Sequence, residues 1–173
     1  MSRESKYSSH LPVLKLIFDF IDIKSVFEYG CGMYSTRFFV DRCDKIVSIE
    51  MQNEKWYEKV QKEIVSNKLN LYCLLGDVSG IDNFKLTNEK YDLVFVDGIN
   101  REECVRNAFD RTEIIVIHDI GERRWNQVWK KSVIVPDRFN VIVVKIATPP
   151  TTVITSNKEL LCQLQKFESI IIK

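Results

Sequence analysis

A carboxylate, two glycines and two hydroxyls stand close together in Glu28-Tyr29-Gly30-Cys31-Gly32-Met33-Tyr34-Ser35-Thr36. Glycines let a backbone turn sharply and approach a ligand closely. A helix opening just after them offers free amide donors to an anionic group. Ser35 and Thr36 can cap that helix or donate hydrogen bonds to a ligand carboxylate. Glu50 follows about twenty residues on, where an acidic group can accept both hydroxyls of a ribose. Asp77, in Gly76-Asp77, can accept from an adenine amino group. Each has a plainer use: Glu50 can cap the next helix and Asp77 can hold a turn. Together they point to a nucleoside-containing ligand.

A second set of reactive residues lies in Val96-Asp97-Gly98 and His118-Asp119. Two carboxylates and an imidazole can hold a divalent ion, which lowers the pKa of a hydroxyl and orients it. Without a metal, His118 is the natural general base, because imidazole titrates nearest neutrality. The plainer alternative is that Asp97 orders the Gly98 turn, His118 packs, and Asp119 caps a helix. His10 is the only other histidine. The segment Tyr7 to His10 reads as a lid over the site or as a simple helix entry.

These residues need elements to position them. Apolar positions at helical spacing predict helices over Leu11 to Ile23, Ser35 to Arg42, Asn53 to Ser66, Arg101 to Arg111, Glu122 to Lys131 and Asn157 to Phe167. Short β-branched runs predict strands over Ser25 to Tyr29, Lys45 to Ile49, Leu69 to Leu75, Tyr91 to Val96 and Glu113 to Ile117. Two more, Phe139 to Ala147 and Thr151 to Thr155, are joined tightly through Pro149-Pro150, with a last short strand at Ile170 to Ile172. This alternation predicts an α/β fold: a Rossmann-like, doubly wound, mostly parallel sheet with an antiparallel edge hairpin. Residues 1–24 form an N-terminal helical region and 25–173 the core of one domain. In such sheets ligands bind outside the carboxyl ends of the strands, at the point where strand order reverses. Glu28 to Thr36, Glu50, Asp77 and Asp97 all fall at predicted carboxyl ends.

Composition narrows the class. The chain has 173 residues, 45% hydrophobic and 28% charged, with a net charge of +1. No global basic field draws it to nucleic acid or anionic lipid. No apolar run approaches the ~20 residues that span a bilayer, so no membrane role is expected. The five cysteines are spread out and form no C-x-x-C pair. Cys31, Cys73 and Cys162 sit in apolar patterns and read as buried free thiols in a reducing cytosol. Arg123-Arg124-Trp125 reads as a solvated first helical turn or as a contact for an anionic substrate.

The motifs EYGCG, VSIE, LGD and YDLVFVDG resemble those of class I S-adenosylmethionine-dependent methyltransferases, over roughly residues 25 to 145. The third glycine of the fuller G-x-G-x-G form is absent here, with Met33, Tyr34 and Ser35 in that region. The resemblance implies that Glu28, Gly30 and Gly32 cradle the methionine part of the cofactor. It likewise puts Glu50 on the ribose, Met51 on the adenine face, and Asp77 and Val78 at the adenine edge. Asp97 with His118-Asp119 is similar to the metal-dependent O-methyltransferases of the catechol type. It is still more similar to the glucuronoxylan methyltransferases, which share VDG and a later HD. This implies Asp97, His118 and Asp119 as catalytic residues and as ligands of Mg, Mn or Co.

The expectation is a cytoplasmic enzyme that methylates a hydroxyl of a small molecule or sugar, with nucleic acid a poor fit as partner. The sequence leaves open two rivals: a non-catalytic S-adenosylmethionine-binding module, and a metal-dependent hydrolase on a similar fold. It leaves the oligomeric state open as well.

Overall fold

The structure, a computed structural model, describes residues 8–75 and 89–172. Asp77 and Val78, expected at the adenine edge, lie outside the described residues.

The inner strands are short, rich in β-branched residues and almost wholly buried, as strands covered on both faces must be, whereas the edge strands Leu69–Cys73 and Ser169–Ile171 are only partly buried. In chain order the strands are β1 (Ser25–Tyr29), β2 (Lys45–Glu50), β3 (Leu69–Cys73), β4 (Leu93–Val96), β5 (Ile114–Ile117), β6 (Asn140–Val144), β7 (Thr151–Thr155) and β8 (Ser169–Ile171). All join one sheet in the order β3-β2-β1-β4-β5-β7-β6-β8. β1 to β5 pair in parallel. β7 runs antiparallel to both β5 and β6, and β8 antiparallel to β6. Strand order reverses between β1 and β4, and the carboxyl ends there are where sheets of this kind bind ligands.

The helices are α1 (Leu11–Phe20), α2 (Ser35–Val40), α3 (Glu54–Glu63), α4 (Arg101–Ala108), α5 (Glu122–Arg124), α6 (Lys130–Ser132) and α7 (Lys158–Leu164). α1 starts with proline in its first turn and buries Val13, Leu14 and Ile17, a placement that suits proline because the first-turn N–H has no partner anyway. The Asn53 side chain caps α3 by accepting from the Trp56 amide at 3.3 Å. Alternate residues of the strands feed two layers. Val26, Leu93 and Phe95 face α1, α2 and α7. Phe27, Val94 and Val96 face α4 and the tryptophans Trp125 and Trp129. No helix among the described residues is long and apolar enough to cross a membrane.

The predicted sheet is present, and the structure refines its far side. β7 inserts between β5 and β6, and β8 rather than the β6–β7 hairpin forms the outer edge. The predicted helix over 122 to 131 is interrupted by a π-helical turn, Trp125–Trp129, between α5 and α6. That wider turn buries both indoles, with ring centres 5.7 Å apart. The expectation of a buried Cys162 is overturned, because the thiol is exposed. On α7 the core face belongs to Leu160 and Leu164. Those residues are four apart and share a side, whereas Cys162 lies midway and points off it.

Candidate functional site

β1 ends at Tyr29, level with Val96 of β4, and Val96 is level with Ile117 of β5. That register alone brings three connecting loops together: Gly30 to Tyr34, Asp97 to Asn100, and His118 to Gly121.

The first loop is built around Glu28. Its side chain is fully buried, and its carboxylate accepts hydrogen bonds from Ser35 Oγ at 2.5 Å, Thr36 Oγ1 at 2.6 Å and Ser48 Oγ at 2.5 Å. Burial pushes the Glu28 pKa up to about 7, while the three hydroxyl donors pull the other way. Thr36 Oγ1 also accepts the Gly32 amide at 2.9 Å. Ser35 and Thr36, expected as helix caps or ligand donors, are thus directed inward, and Glu28 shapes the loop from beneath. Trp56 Nε1 donates to the Cys31 carbonyl at 2.8 Å and clamps the loop from α3.

Gly30 adopts φ +89°. A β-carbon there would lie 2.6 Å from the Gly98 nitrogen, so the two loops touch backbone to backbone. Glycine is required at this contact on both counts. Met51 is almost fully buried and lies below Gly98, where a β-carbon would come 3.2 Å from its sulfur.

Glu50 ends β2. Its Oε1 accepts the amides of Gln52 at 2.7 Å and Asn53 at 3.0 Å, which caps the entry to α3. Among the described residues, the contact at Oε2 is the Cys31 thiol, 3.4 Å away. A thiol is a weak donor, so this oxygen keeps accepting capacity for a ligand. Burial and the nearby Glu28 and Glu50 raise the Cys31 pKa, so that thiol stays protonated.

The second set comes together in space. His118 Nδ1 lies 3.0 Å from Asp97 Oδ1, and Nε2 lies 3.1 Å from Asp119 Oδ1. Asp119 takes φ 61°, an unusual region that aspartate tolerates better than most residues. Sequence reasoning did not single out Arg101. Its guanidinium donates to Asp97 Oδ1 at 2.9 Å, the Gly98 carbonyl at 2.9 Å and the His118 carbonyl at 2.6 Å. It sits four residues after Asp97 at the start of α4, a spacing that signals such a pair.

The N-terminal turn covers this cluster. Ser9 Oγ is 2.8 Å from His118 Nε2, and the His10 ring meets the His118 ring edge-on with centroids 4.6 Å apart. Ser8, Ser9 and His10 are all buried. Burial, helped by the neighbouring His118, lowers the His10 pKa to about 4, so its imidazole is neutral near pH 7. From the other side, Thr152 Oγ1 of β7 donates to the Ile120 carbonyl at 2.5 Å and holds the loop after β5. Arg123 and Arg124 are exposed, as the solvated-turn reading expects.

No family model matches the chain, and no curated protein matches it in sequence. Solved structures do match. An O-methyltransferase from Bacillus cereus in complex with S-adenosylhomocysteine has a TM-score of 0.65 at 13% identity, covering 88% of this chain and 81% of that one. The O-methyltransferase TomG from Streptomyces achromogenes, in complex with S-adenosylmethionine, has a TM-score of 0.61 at 13% identity, covering 89% and 81%. The fold is that of the class I methyltransferases. NodS, an N-methyltransferase from Bradyrhizobium japonicum, matches at a TM-score of 0.54 and 12% identity, covering 84% of this chain and 91% of that one. The class I methyltransferase fold thus carries both oxygen and nitrogen acceptors among these neighbours, and the acceptor must be argued from side chains.

Proposed function

We propose that this chain binds S-adenosylmethionine and transfers its methyl group to a hydroxyl of a small molecule or sugar, in a reaction assisted by a divalent metal. The observation that carries the reading is the convergence of Asp97, His118 and Asp119 beside the Gly30–Gly98 contact, at the switch point of the sheet. The residues present fit the cofactor. Gly30 and Gly98 keep their loop contact free of side chains, and Glu50 Oε2 faces no donor stronger than a thiol among the described residues.

Bound S-adenosylmethionine supplies an electrophilic methyl group on a sulfonium. Glu50 then orients the ribose through Oε2, while Gly30 and Gly32 let the backbone approach the methionine part. Asp77 and Val78 at the adenine edge complete this assignment. In the absence of an ion His118 would accept the proton of the acceptor hydroxyl, with Asp97 and Asp119 stabilising the imidazolium; once bound to an ion it would act as a ligand instead. With the cofactor bound, an acceptor hydroxyl held in line beside Asp97 and His118 would receive the methyl group, and S-adenosylhomocysteine would be the product. Most of the rate comes from holding the two reactants in line. A divalent ion beside Asp97 and His118 would lower the hydroxyl pKa further. The five free thiols fit a reducing, cytoplasmic setting.

Calorimetric titration with S-adenosylhomocysteine tests the cofactor half without the acceptor. Micromolar affinity is expected, about −8 kcal/mol, with at least tenfold loss in Glu50→Gln. No heat at millimolar ligand overturns the proposal. A panel of phenols, catechols and sugars with labelled S-adenosylmethionine tests the other half. Turnover that survives alanine at both Asp97 and Asp119 removes the hydroxyl mechanism. A binding module predicts the same heat and no turnover with any acceptor.

A further inference from the structure

We propose that His10, Asp97 and His118 form the metal site itself, with Asp119 acting behind His118 rather than as a ligand. What the ion does rests on the methyl-transfer reading above; where it sits rests on geometry alone.

The chain has two histidines, and folding brings both to one point. The ligand atoms of His10, Asp97 and His118 all lie within 4.8 Å of one another. Three protein ligands about 2.0–2.2 Å from a tetrahedral zinc-like ion stand roughly 3.3 Å apart, so small side-chain rotations close the set.

The hydrogen-bond pattern is the independent observation. His10 is 2% exposed, and neither of its ring nitrogens has a hydrogen-bond partner among the described residues. His118 Nδ1 faces Asp97 at 3.0 Å without hydrogen-bond alignment and is also unpartnered. Buried polar atoms are rarely left so, because each costs about 1–3 kcal/mol. Contact with Phe95, at 5.0 Å between centroids, accounts for the burial of the His10 ring but not for its idle nitrogens. A metal ion would take one nitrogen of His10 together with His118 Nδ1.

Asp119 completes the arrangement. Its Oδ1 stands 3.1 Å from His118 Nε2 on the ring edge opposite Asp97, not yet aligned for a hydrogen bond, while Nε2 pairs with Ser9 Oγ at 2.8 Å; a small rotation would bring the carboxylate onto Nε2. A carboxylate placed behind a ligating imidazole sets the tautomer and raises ligand basicity. Two imidazoles with one carboxylate and open positions suit cobalt, zinc or ferrous iron better than magnesium, which prefers oxygen donors. Arg101 already places a cation on Asp97 Oδ1, so affinity is moderate and Arg101→Gln tightens it. The site also ties the N-terminal turn to the carboxyl ends of β4 and β5, so the ion would hold that turn over them.

The test uses the full chain, free of affinity-tag histidines and treated with chelator, titrated with Co²⁺. Proton NMR of the imidazoles needs no variant, because only His10 and His118 contribute. One equivalent of Co²⁺ should shift or broaden both sets of resonances, produce a visible d–d band and raise the melting temperature. His10→Gln should weaken Co²⁺ binding at least 100-fold, with the near-ultraviolet circular dichroism unchanged. Asp119→Asn should weaken it about 10- to 100-fold. Unmoved resonances, movement of His118 alone, or wild-type affinity in His10→Gln overturns the site. If His10→Gln does not fold, the wild-type spectra decide. Calorimetry with S-adenosylhomocysteine separates the two readings. Cofactor binding without Co²⁺ binding removes the metal site alone, and Co²⁺ binding at both histidines without cofactor binding removes methyl transfer alone.

Discussion

Gly30 and Gly98 meet backbone to backbone, so that a methyl group on Gly30 would lie 2.6 Å from the Gly98 nitrogen. Two loops from strands far apart in sequence are closed on each other here with no side chain between them. Gly30→Ala combines this clash with φ +89° and has no flexible neighbour to move. It should destabilise the fold by roughly 2–4 kcal/mol and abolish cofactor binding. Gly98→Ala meets only the Met51 sulfur at 3.2 Å and backbone at 3.3 Å or more, and should cost about half as much. Urea denaturation of the pair checks the order, and equal costs would contradict it.

Glu28 makes stability depend on pH. Its folded pKa, about 7, lies above the ordinary 4.5, so the folded state holds this proton more tightly than the unfolded chain. The contribution is fully present below about pH 4.5 and is lost as pH rises to 7. Glu28→Gln should remove a slope worth on the order of 3 kcal/mol across that window. Urea midpoints at pH 5 and pH 7.5, wild type against variant, measure it. Parallel pH curves would show that Glu28 is ionised throughout.

Arg101 braces three loop atoms at once: Asp97 Oδ1, the Gly98 carbonyl and the His118 carbonyl. Lysine is a point charge and cannot span that fork. Arg101→Ala and Arg101→Lys should therefore lose similar stability, roughly 1–3 kcal/mol each. Full recovery of the wild-type midpoint by lysine would reduce the role of Arg101 to charge alone.

The thiols should differ sharply in reactivity. Cys162 is exposed, whereas burial raises the pKa of Cys43 and of Cys104 to about 12. A thiolate-specific reagent should label Cys162 within minutes in the native protein and leave Cys43 and Cys104 intact until unfolding. Cys162→Ser should abolish the fast phase apart from slower reaction at half-buried Cys73. A fast phase unchanged in that variant would place the reactive thiol elsewhere.

Much of this was legible from local pattern. The apolar runs of β1, β4 and β5 declare buried parallel strands, because a strand covered on both faces has no polar alternation. The loop residues Gly30, Asp97, His118 and Asp119 follow at the strand ends, where ligands gather in such sheets. The covalent chain by itself therefore determined the class of the fold and which loops stand at the carboxyl ends of its strands.

Tertiary structure alone decided the rest. That β7 sits between β5 and β6 is invisible locally, since both pairing orders bury the same apolar faces. Ser35 and Thr36 look like ligand donors until Glu28 and Ser48 are seen beneath them. His10 reads as part of a lid or as a helix entry, and nothing near it in sequence reveals the imidazole partner 4.6 Å away. Local propensity and hydrophobic period act over a few residues, and they set elements and loops. The meeting of His10 with His118, and of Gly30 with Gly98, depends on how elements stack across the sheet, which only the packed core specifies.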